Sequence, residues 1–116
     1  MKQNDLRLKL GYRLEKHSKK SKQRIWKDAS EAVLASRKNR PSVNIAEISR
    51  NSKEGAKILV PGKVLGLGFI DHKVTVAAYS FSKDARAKIS ASGGTCVSLN
   101  DFMDSTPTVK DVVLLG

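Results

Sequence analysis

Aromatic residues, cysteine and histidine are all scarce in this sequence of 116 residues. Only 5% of the residues are Phe, Trp or Tyr, so any core must be built mainly from Val, Ile, Leu and Ala. The single cysteine, Cys96, excludes an internal disulfide, and its place in a strand-like run predicts a small buried side chain. With this one cysteine and two distant histidines, His17 and His72, no spacing typical of a zinc site is present.

Long apolar runs and catalytic motifs are also missing. No apolar run approaches the roughly 20 residues that a membrane-spanning helix needs, and residues 1–5 contain no apolar core of a signal peptide. No segment matches a nucleophile elbow or a Walker phosphate loop. Asp71 stands where a dinucleotide fingerprint beginning at Gly66 would need its third glycine. The absence of these features predicts a cytoplasmic protein that is not an enzyme. It also predicts that the protein has no metal, cofactor, small-molecule substrate or membrane partner.

Positive charge is abundant and unevenly distributed. The chain has 22 Lys and Arg against 11 Asp and Glu, which gives a net charge of +11. Residues 1–40 hold 13 of the cations and 4 of the anions, whereas the remaining residues hold 9 and 7. Crowded like charges repel each other unless a polyanion offsets them, so the N-terminal third predicts a nucleic-acid-binding arm.

The arm, residues 1–42, is predicted to be helical. Asn4 or Asp5 can begin a first helix that runs to about Lys16, and residues 17–24 then read as a polar loop. Leucines at every fourth position form one stripe, and a basic stripe lies about 90° around the helix from it. A second helix is expected over about residues 25–36 and is ended by Pro41.

The rest, residues 43–116, alternates short strands with short helices and predicts a small, irregular β/α layered body. The fold class is therefore α/β, with basic helices before the body and a single domain overall. Ser82 is expected to cap a helix that ends at Gly93-Gly94. The expected strands cover residues 43–45, 58–60, 63–65, 73–81, 95–99 and 109–115.

Two features allow more than one interpretation. Trp26 lies beside cations and could stack on an exposed base, but it also lies on the apolar face of its helix, which favours a core position. The loop from Gly66 to Lys73 is either a glycine-rich bend or a surface that an RNA backbone can approach closely. The predicted RNA-binding residues combine the arm with this loop: Lys9, Arg13, Lys16, Lys19, Lys20, Lys22, Arg24, Trp26, Arg37, Lys38, Arg40, Lys63, Gly66, Gly68, His72 and Lys73.

Several segments resemble one family closely. These are residues 25–28 (Ile-Trp-Lys-Asp), 61–68, 72–78, and Phe81-Ser82 with Ala85 and Gly93-Gly94 after it. The sequence resembles the archaeal and eukaryotic large-subunit ribosomal proteins of the L-eighteen-e type, whose body is similar to that of the bacterial L-fifteen protein. The resemblance runs from about residue 3 to the end, and the short length is similar to that of archaeal members.

That resemblance implies a structural protein of the large ribosomal subunit. Its partners would be large-subunit rRNA and neighbouring ribosomal proteins, with no cofactor, and its location the cytoplasmic ribosome. Two other functions stay open from the residues alone, a free-standing RNA-binding chaperone and an RNA-processing factor. An enzyme needs a positioned acid, base or metal, and the sequence offers no such group.

Overall fold

The computed structural model describes residues 3–35, 42–105 and 112–115, with side chains described from Arg7 onward. The chain divides into two compact units, residues 1–40 and 41–116. The expected boundary near residue 42, and the expectation that arm and body form a single domain overall, stay predictions.

The first unit contains two helices, α1 (Gln3–Ser21) and α2 (Arg24–Leu34). The predicted loop over residues 17–24 is wrong, because α1 continues to Ser21 and only two residues separate the helices. This segment contains neither glycine nor proline, and Glu15 and Lys19 form an exposed i,i+4 ion pair at 3.5 Å. Polar composition alone is therefore not sufficient to predict a loop in this segment.

The two helices of this unit pack closely at Gly11. A Cβ built on Gly11 would overlap the Leu34 side chain, so a larger residue here would require Leu34 to move. The Ser30 hydroxyl donates a 3.0 Å hydrogen bond to the Gly11 carbonyl in the same contact. Leu14 and Trp26 are fully buried. An amphipathic α2 and one glycine on α1 thus define how the pair packs.

The second unit is an α/β structure, as predicted. Its parallel sheet has the strand order β1-β2-β3-β4, and β5 pairs with β2. In chain order its elements are β1 (Ser42–Asn44), α3 (Ile45–Arg50), β2 (Ala56–Leu65), β3 (Val74–Phe81), α4 (Lys83–Ala91), β4 (Thr95–Ser98), α5 (Leu99–Ser105) and β5 (Val112–Leu114).

The central strand β2 is bent by Pro61-Gly62. Proline has no N–H to donate, and the register with β3 shifts between Val60 and Lys63. The half of β2 before the shift pairs with β5, and the half after it pairs with β1. Residues 58–62 are all buried, as expected for a parallel strand covered on both faces.

Helices cover both faces of this sheet. Alternate residues of β2 and β3 join Ile48 of α3 and Ala85 and Ile89 of α4 in one apolar cluster. On α5, which packs against β3 and β4, Phe102 and Met103 are buried. The Ser82 side chain accepts a 3.1 Å hydrogen bond from the Ala85 N–H, which confirms the predicted helix cap.

The connection between β2 and β3 has no helix. Because the strands are parallel, residues 66–73 must return along the sheet for about 26 Å at 3.3 Å per residue. Nine Cα–Cα steps span at most about 30 Å, so this segment has to be nearly extended. It forms a strap, and we use that name for residues 66–73. Its side chains alternate: Leu67, Phe69, Asp71 and Lys73 are exposed, while the residues between them are half-buried or buried.

Candidate nucleic-acid interface

Four of the cations that the sequence predicts to bind RNA lie on one side of α1. Lys9, Arg13, Lys16 and Lys20 are separated by four, three and four residues, which places them within an arc of about 60° on a helix. All four side chains are exposed. We call them the basic stripe. Over the roughly 17 Å between its ends, the stripe presents a row of cations to solvent.

The turn after α1 adds further cations to this unit. Lys22 has a left-handed backbone with φ of 59°, and its N–H donates a 2.8 Å hydrogen bond to the Ser18 carbonyl. Lys22 and Arg24 are both exposed. Arg24 lies 3.8 Å from Asp28, an exposed pair of the kind that contributes little to stability. Both the Arg24 and Lys19 ion pairs could therefore be exchanged for a phosphate at low cost.

Arg7 does not belong to this set of exposed cations. Its guanidinium donates hydrogen bonds to the carbonyls of Val33, at 2.8 Å, and Ala35, at 3.3 Å. These carbonyls lie at the end of α2, where a helix leaves acceptors without internal partners. Arg7 thus holds the two helices together. The charge run itself could not separate this cation from the others.

Trp26 occupies a core position. Its ring is fully buried, its indole N–H donates a 2.8 Å hydrogen bond to the Gln23 side-chain oxygen, and His17 packs edge-on against it at 5.0 Å. The structure therefore corrects the assignment of Trp26 as a base-stacking residue, because a ring with no exposed surface cannot stack on RNA. Of the two interpretations of Trp26, the apolar face of α2 gave the better one.

The strap glycines face the protein. A Cβ on Gly66 would lie 2.6 Å from Asp84, and Gly68 has a φ of +106° with the Ala46 N only 2.7 Å from the Cβ position. Lys88 donates hydrogen bonds to the carbonyls of both glycines, at 2.5 and 2.7 Å. The close approach that these glycines permit is made with α3 and α4. Large side chains also project from the strap, because Leu67 and Phe69 are 73% and 74% exposed.

Lys63 and Lys73, which the sequence predicts as RNA-binding residues together with the strap, lie far apart in the structure. Lys63 pairs in register with Ser80 near the end of β3, whereas Lys73 comes just before its start. About seven residues of strand separate them, which corresponds to roughly 20–25 Å. Both side chains are exposed, but they mark opposite ends of the sheet.

His72 binds protein groups through both ring nitrogens. Nε2 lies 2.8 Å from the Ser52 Oγ and Nδ1 lies 3.1 Å from the Asp71 carboxylate. This order resembles a Ser-His-Asp triad, but the Ser52 hydroxyl donates to the Ile48 carbonyl at 2.6 Å. Its proton is thus held by the backbone and is not directed at the imidazole. The contact ties the end of the strap to the segment after α3.

Cys96 lies in a recess at the end of β3 and β4, where the sequence predicted only a buried thiol. It is half-buried, and burial raises the pKa of its thiol, while the nearby Arg86 guanidinium lowers it by a smaller amount. A thiol with a raised pKa is a poor nucleophile at neutral pH.

Three predicted cations, Arg37, Lys38 and Arg40, lie outside the described residues. Within the described ranges, no group of three His, Cys, Asp or Glu side chains is arranged to hold a metal ion. None of the helices in that part of the chain is long and apolar enough to cross a membrane.

The chain matches known proteins along its whole length. The family model described as "Ribosomal protein 60S L18 and 50S L18e" matches residues 1–116. A protein named large ribosomal subunit protein eL18 from Methanothermobacter thermautotrophicus is 42% identical over 108 residues, which cover 93% of this chain and 89% of that protein. Proteins of the same name from Sulfurisphaera tokodaii and Methanococcus maripaludis are 42% and 36% identical, over 83% and 90% of this chain and 81% and 87% of theirs.

This match covers both the basic helical unit and the α/β body, so it does not rest on the charge run, which many RNA-binding proteins share. It agrees with the resemblance drawn from residues 61–78. The chain belongs to the family of ribosomal proteins 60S L18 and 50S L18e of the large ribosomal subunit.

Proposed function

We propose that this protein is a structural component of the large ribosomal subunit that binds folded rRNA through the exposed cations of its helical unit. The observation that carries the proposal is the basic stripe, four exposed cations within one narrow arc of α1. Each cation that neutralises a phosphate releases condensed counterions, and this release supplies much of the affinity. Lys19, Lys22 and Arg24 extend the same charged surface within the unit.

The body has a smaller part in this proposal. Its near balance of 9 cations and 7 anions gives weak attraction to RNA. Lys63 and Lys73 each bind one phosphate, at opposite ends of the sheet, while Gly66, Gly68 and His72 shape the body and do not touch RNA. Neighbouring ribosomal proteins are the other partners, and the protein acts on the cytoplasmic ribosome without enzymatic activity of its own.

Co-sedimentation tests this function against a free-standing chaperone. The full chain, carrying a small affinity tag, is expected to sediment with the large subunit in a gradient at moderate salt and to leave it only at high salt. A chaperone or a processing factor would remain in the free fractions or sediment with precursor particles alone. That distribution would contradict a structural role.

A salt titration tests the mechanism. If about 6–10 phosphates are contacted, raising salt from 50 to 200 mM should weaken binding to an rRNA transcript by roughly 10³- to 10⁵-fold. An affinity that changes little over this range would show that phosphate neutralisation is not the main contribution.

A further inference from the structure

A polar recess lies at the end of the sheet where β3 extends beyond β4. It has a volume of about 340 Å³, and its lining includes Tyr79, Phe81, Arg86, Cys96, Ser98 and Asp101. Small-ligand pockets begin at about this size, so the recess has room for one planar ring system. None of the residues predicted from the sequence to bind RNA lies in it.

The recess exposes a short piece of strand edge. The last pair between these strands joins Ala78 to Ser98, after which the chain of β4 turns into α5. On the other side of β3, the Ser82 N–H donates a 2.9 Å hydrogen bond to the Val64 carbonyl of β2. Because backbone groups alternate in direction along a parallel strand, the N–H and C=O of Phe81 point away from β2, past the end of β4.

The guanidinium of Arg86, a flat cationic group, lies beside the exposed edge of β3 at Phe81. The Arg86 guanidinium lies 5.1 Å from the centre of the Phe81 ring, and Arg86 is exposed on α4. Guanidinium planes stack on aromatic rings and also on nucleobases. The recess therefore combines a stacking plane with a backbone donor and acceptor that belong to one residue. Tyr79 and Ser98 are also among its lining residues.

We propose that this recess binds a single unpaired rRNA base, stacked against Arg86 and hydrogen-bonded through its edge to the backbone N–H and C=O of Phe81. This inference rests on the proposed function, since it names a second contact of the same protein with rRNA. Every base presents adjacent donor and acceptor groups on one edge, which match an N–H and C=O that point the same way.

A base fits this recess better than other occupants do. A peptide strand would need a longer free edge, and β3 extends beyond the last pair with β4 by three residues only. A phosphate alone would meet the Asp101 carboxylate in the lining, which repels anions. A base is uncharged and flat, so it avoids the repulsion and uses the stacking plane.

The test compares nucleotide protection by variants of the full chain bound to a large-subunit rRNA transcript. Arg86→Gln removes the stacking plane and the charge, and Arg86→Lys keeps the charge alone. Lys83→Gln is the matched control, because Lys83 is also exposed on α4 but does not line the recess. Circular dichroism and thermal unfolding check that every variant folds, which the exposure of these two side chains favours.

With Arg86→Gln, protection from base-specific chemical modification should be lost at one unpaired nucleotide while the rest of the footprint remains. Stacking on one base corresponds to roughly a 5- to 100-fold loss of affinity. Arg86→Lys should behave like Arg86→Gln, and Lys83→Gln should keep the protection. Cys96 gives a second signal, since it lines the recess: bound rRNA should slow its alkylation by a larger factor in the wild-type chain than in Arg86→Gln. Each rate is compared with that of the same chain without RNA, because the loss of Arg86 itself raises the pKa of the thiol.

Identical footprints for the wild-type chain and Arg86→Gln would overturn the inference and leave a protein segment as the occupant. Equal effects of Arg86→Gln and Lys83→Gln would also overturn it, because charge alone would then explain them. If the wild-type chain neither protects the transcript nor sediments with the large subunit, the proposed function itself fails, and the base contact fails with it.

Discussion

Four exposed cations of the helical unit lie on one face of α1, whereas the exposed cations of the body are scattered among carboxylates. The same side-chain chemistry serves different purposes in the two units. Lys88 in the body binds the carbonyls of Gly66 and Gly68, and thus stabilises the strap. Lys16 and Lys20 in the helical unit are exposed within the basic stripe. A count of charges cannot distinguish these two uses, whereas the geometry separates a cation that hydrogen-bonds within the protein from the exposed cations of the basic stripe.

The largest loss of rRNA binding is expected when the whole helical unit is removed. A chain of residues 41–116 should keep its sheet and its helical signal in circular dichroism, because the body has its own apolar cluster. Its affinity for an rRNA transcript should fall by on the order of a thousandfold or more, since most phosphate contacts are gone. Undiminished binding would place the main site in the body, and a loss of folded structure would show that the body depends on the helices.

A smaller effect is expected from removing charge without removing residues. Changing the basic stripe, Lys9, Arg13, Lys16 and Lys20, to Gln should lower the salt slope by about 3–4 units and weaken binding several-hundredfold near 0.15 M salt. The matched control changes four exposed body cations to Gln: Arg50, Lys53, Lys57 and Lys83. It removes the same charge and should weaken binding far less. Equal losses would mean that net charge, and not its placement, governs affinity.

The sequence predicted several local features of the body, but it placed a loop over residues 17–24 of the helical unit where α1 continues to Ser21. Ser82 capped its helix as expected, because capping acts over a few residues. The two strands expected over residues 58–60 and 63–65 are instead one strand, β2, in which Pro61-Gly62 coincides with a shift of register. Features set by distant partners were not visible. The capping of the end of α2 by Arg7, for example, depends on a residue of α1 that is 26 to 28 positions away in the sequence.

The strap shows the same limit at the candidate site. Gly66 and Gly68 were correctly recognised as places of close approach, but the sequence could not say what approaches them. The parallel pairing of β2 with β3 turns this loop into an extended crossover, and that pairing is a long-range property. The residue types gave no signal of this extended conformation, because the exposed positions of the strap include the apolar Leu67 and Phe69.

Substitutions at two glycines of the body can distinguish the cost of backbone strain from the cost of close packing. Gly68 and Gly55 both have positive φ, but a Cβ on Gly55 would meet nothing within 4 Å, while one on Gly68 would meet the backbone of Ala46. Gly55→Ala should cost about 1–2 kcal/mol of unfolding free energy through φ alone. Gly68→Ala should cost roughly 2–5 kcal/mol, because overpacking adds to the same strain.

Denaturant unfolding measures both costs. If the two variants lose the same free energy of unfolding, the strap is not tightly packed on α3, and the assignment of Gly68 to a structural role would be wrong. A Gly68→Ala chain that folds normally but binds rRNA weakly would point back to contact between the strap and RNA.

The smallest expected effect lies in the turn between α1 and α2, where stability and binding should change in opposite directions. Lys22 adopts φ of 59°, a conformation that costs a residue with a Cβ about 1 kcal/mol relative to glycine. Lys22→Gly should therefore stabilise the chain by up to about 1 kcal/mol, less the greater freedom that glycine gives the unfolded chain. Lys22→Ala is the matched control, because it loses the same charge but keeps the Cβ.

Both variants lose one exposed cation, so each should bind an rRNA transcript about fivefold more weakly near 0.15 M salt if Lys22 contacts a phosphate. Thermal unfolding should show different stabilities for Lys22→Gly and Lys22→Ala, while their affinities for the transcript should be the same. Equal stability of the two variants would show that the strain at φ of 59° is no larger than the cost of the greater freedom that glycine gives the unfolded chain. Wild-type binding by both would remove Lys22 from the RNA surface, and would confine that surface to the basic stripe and the cations that flank it.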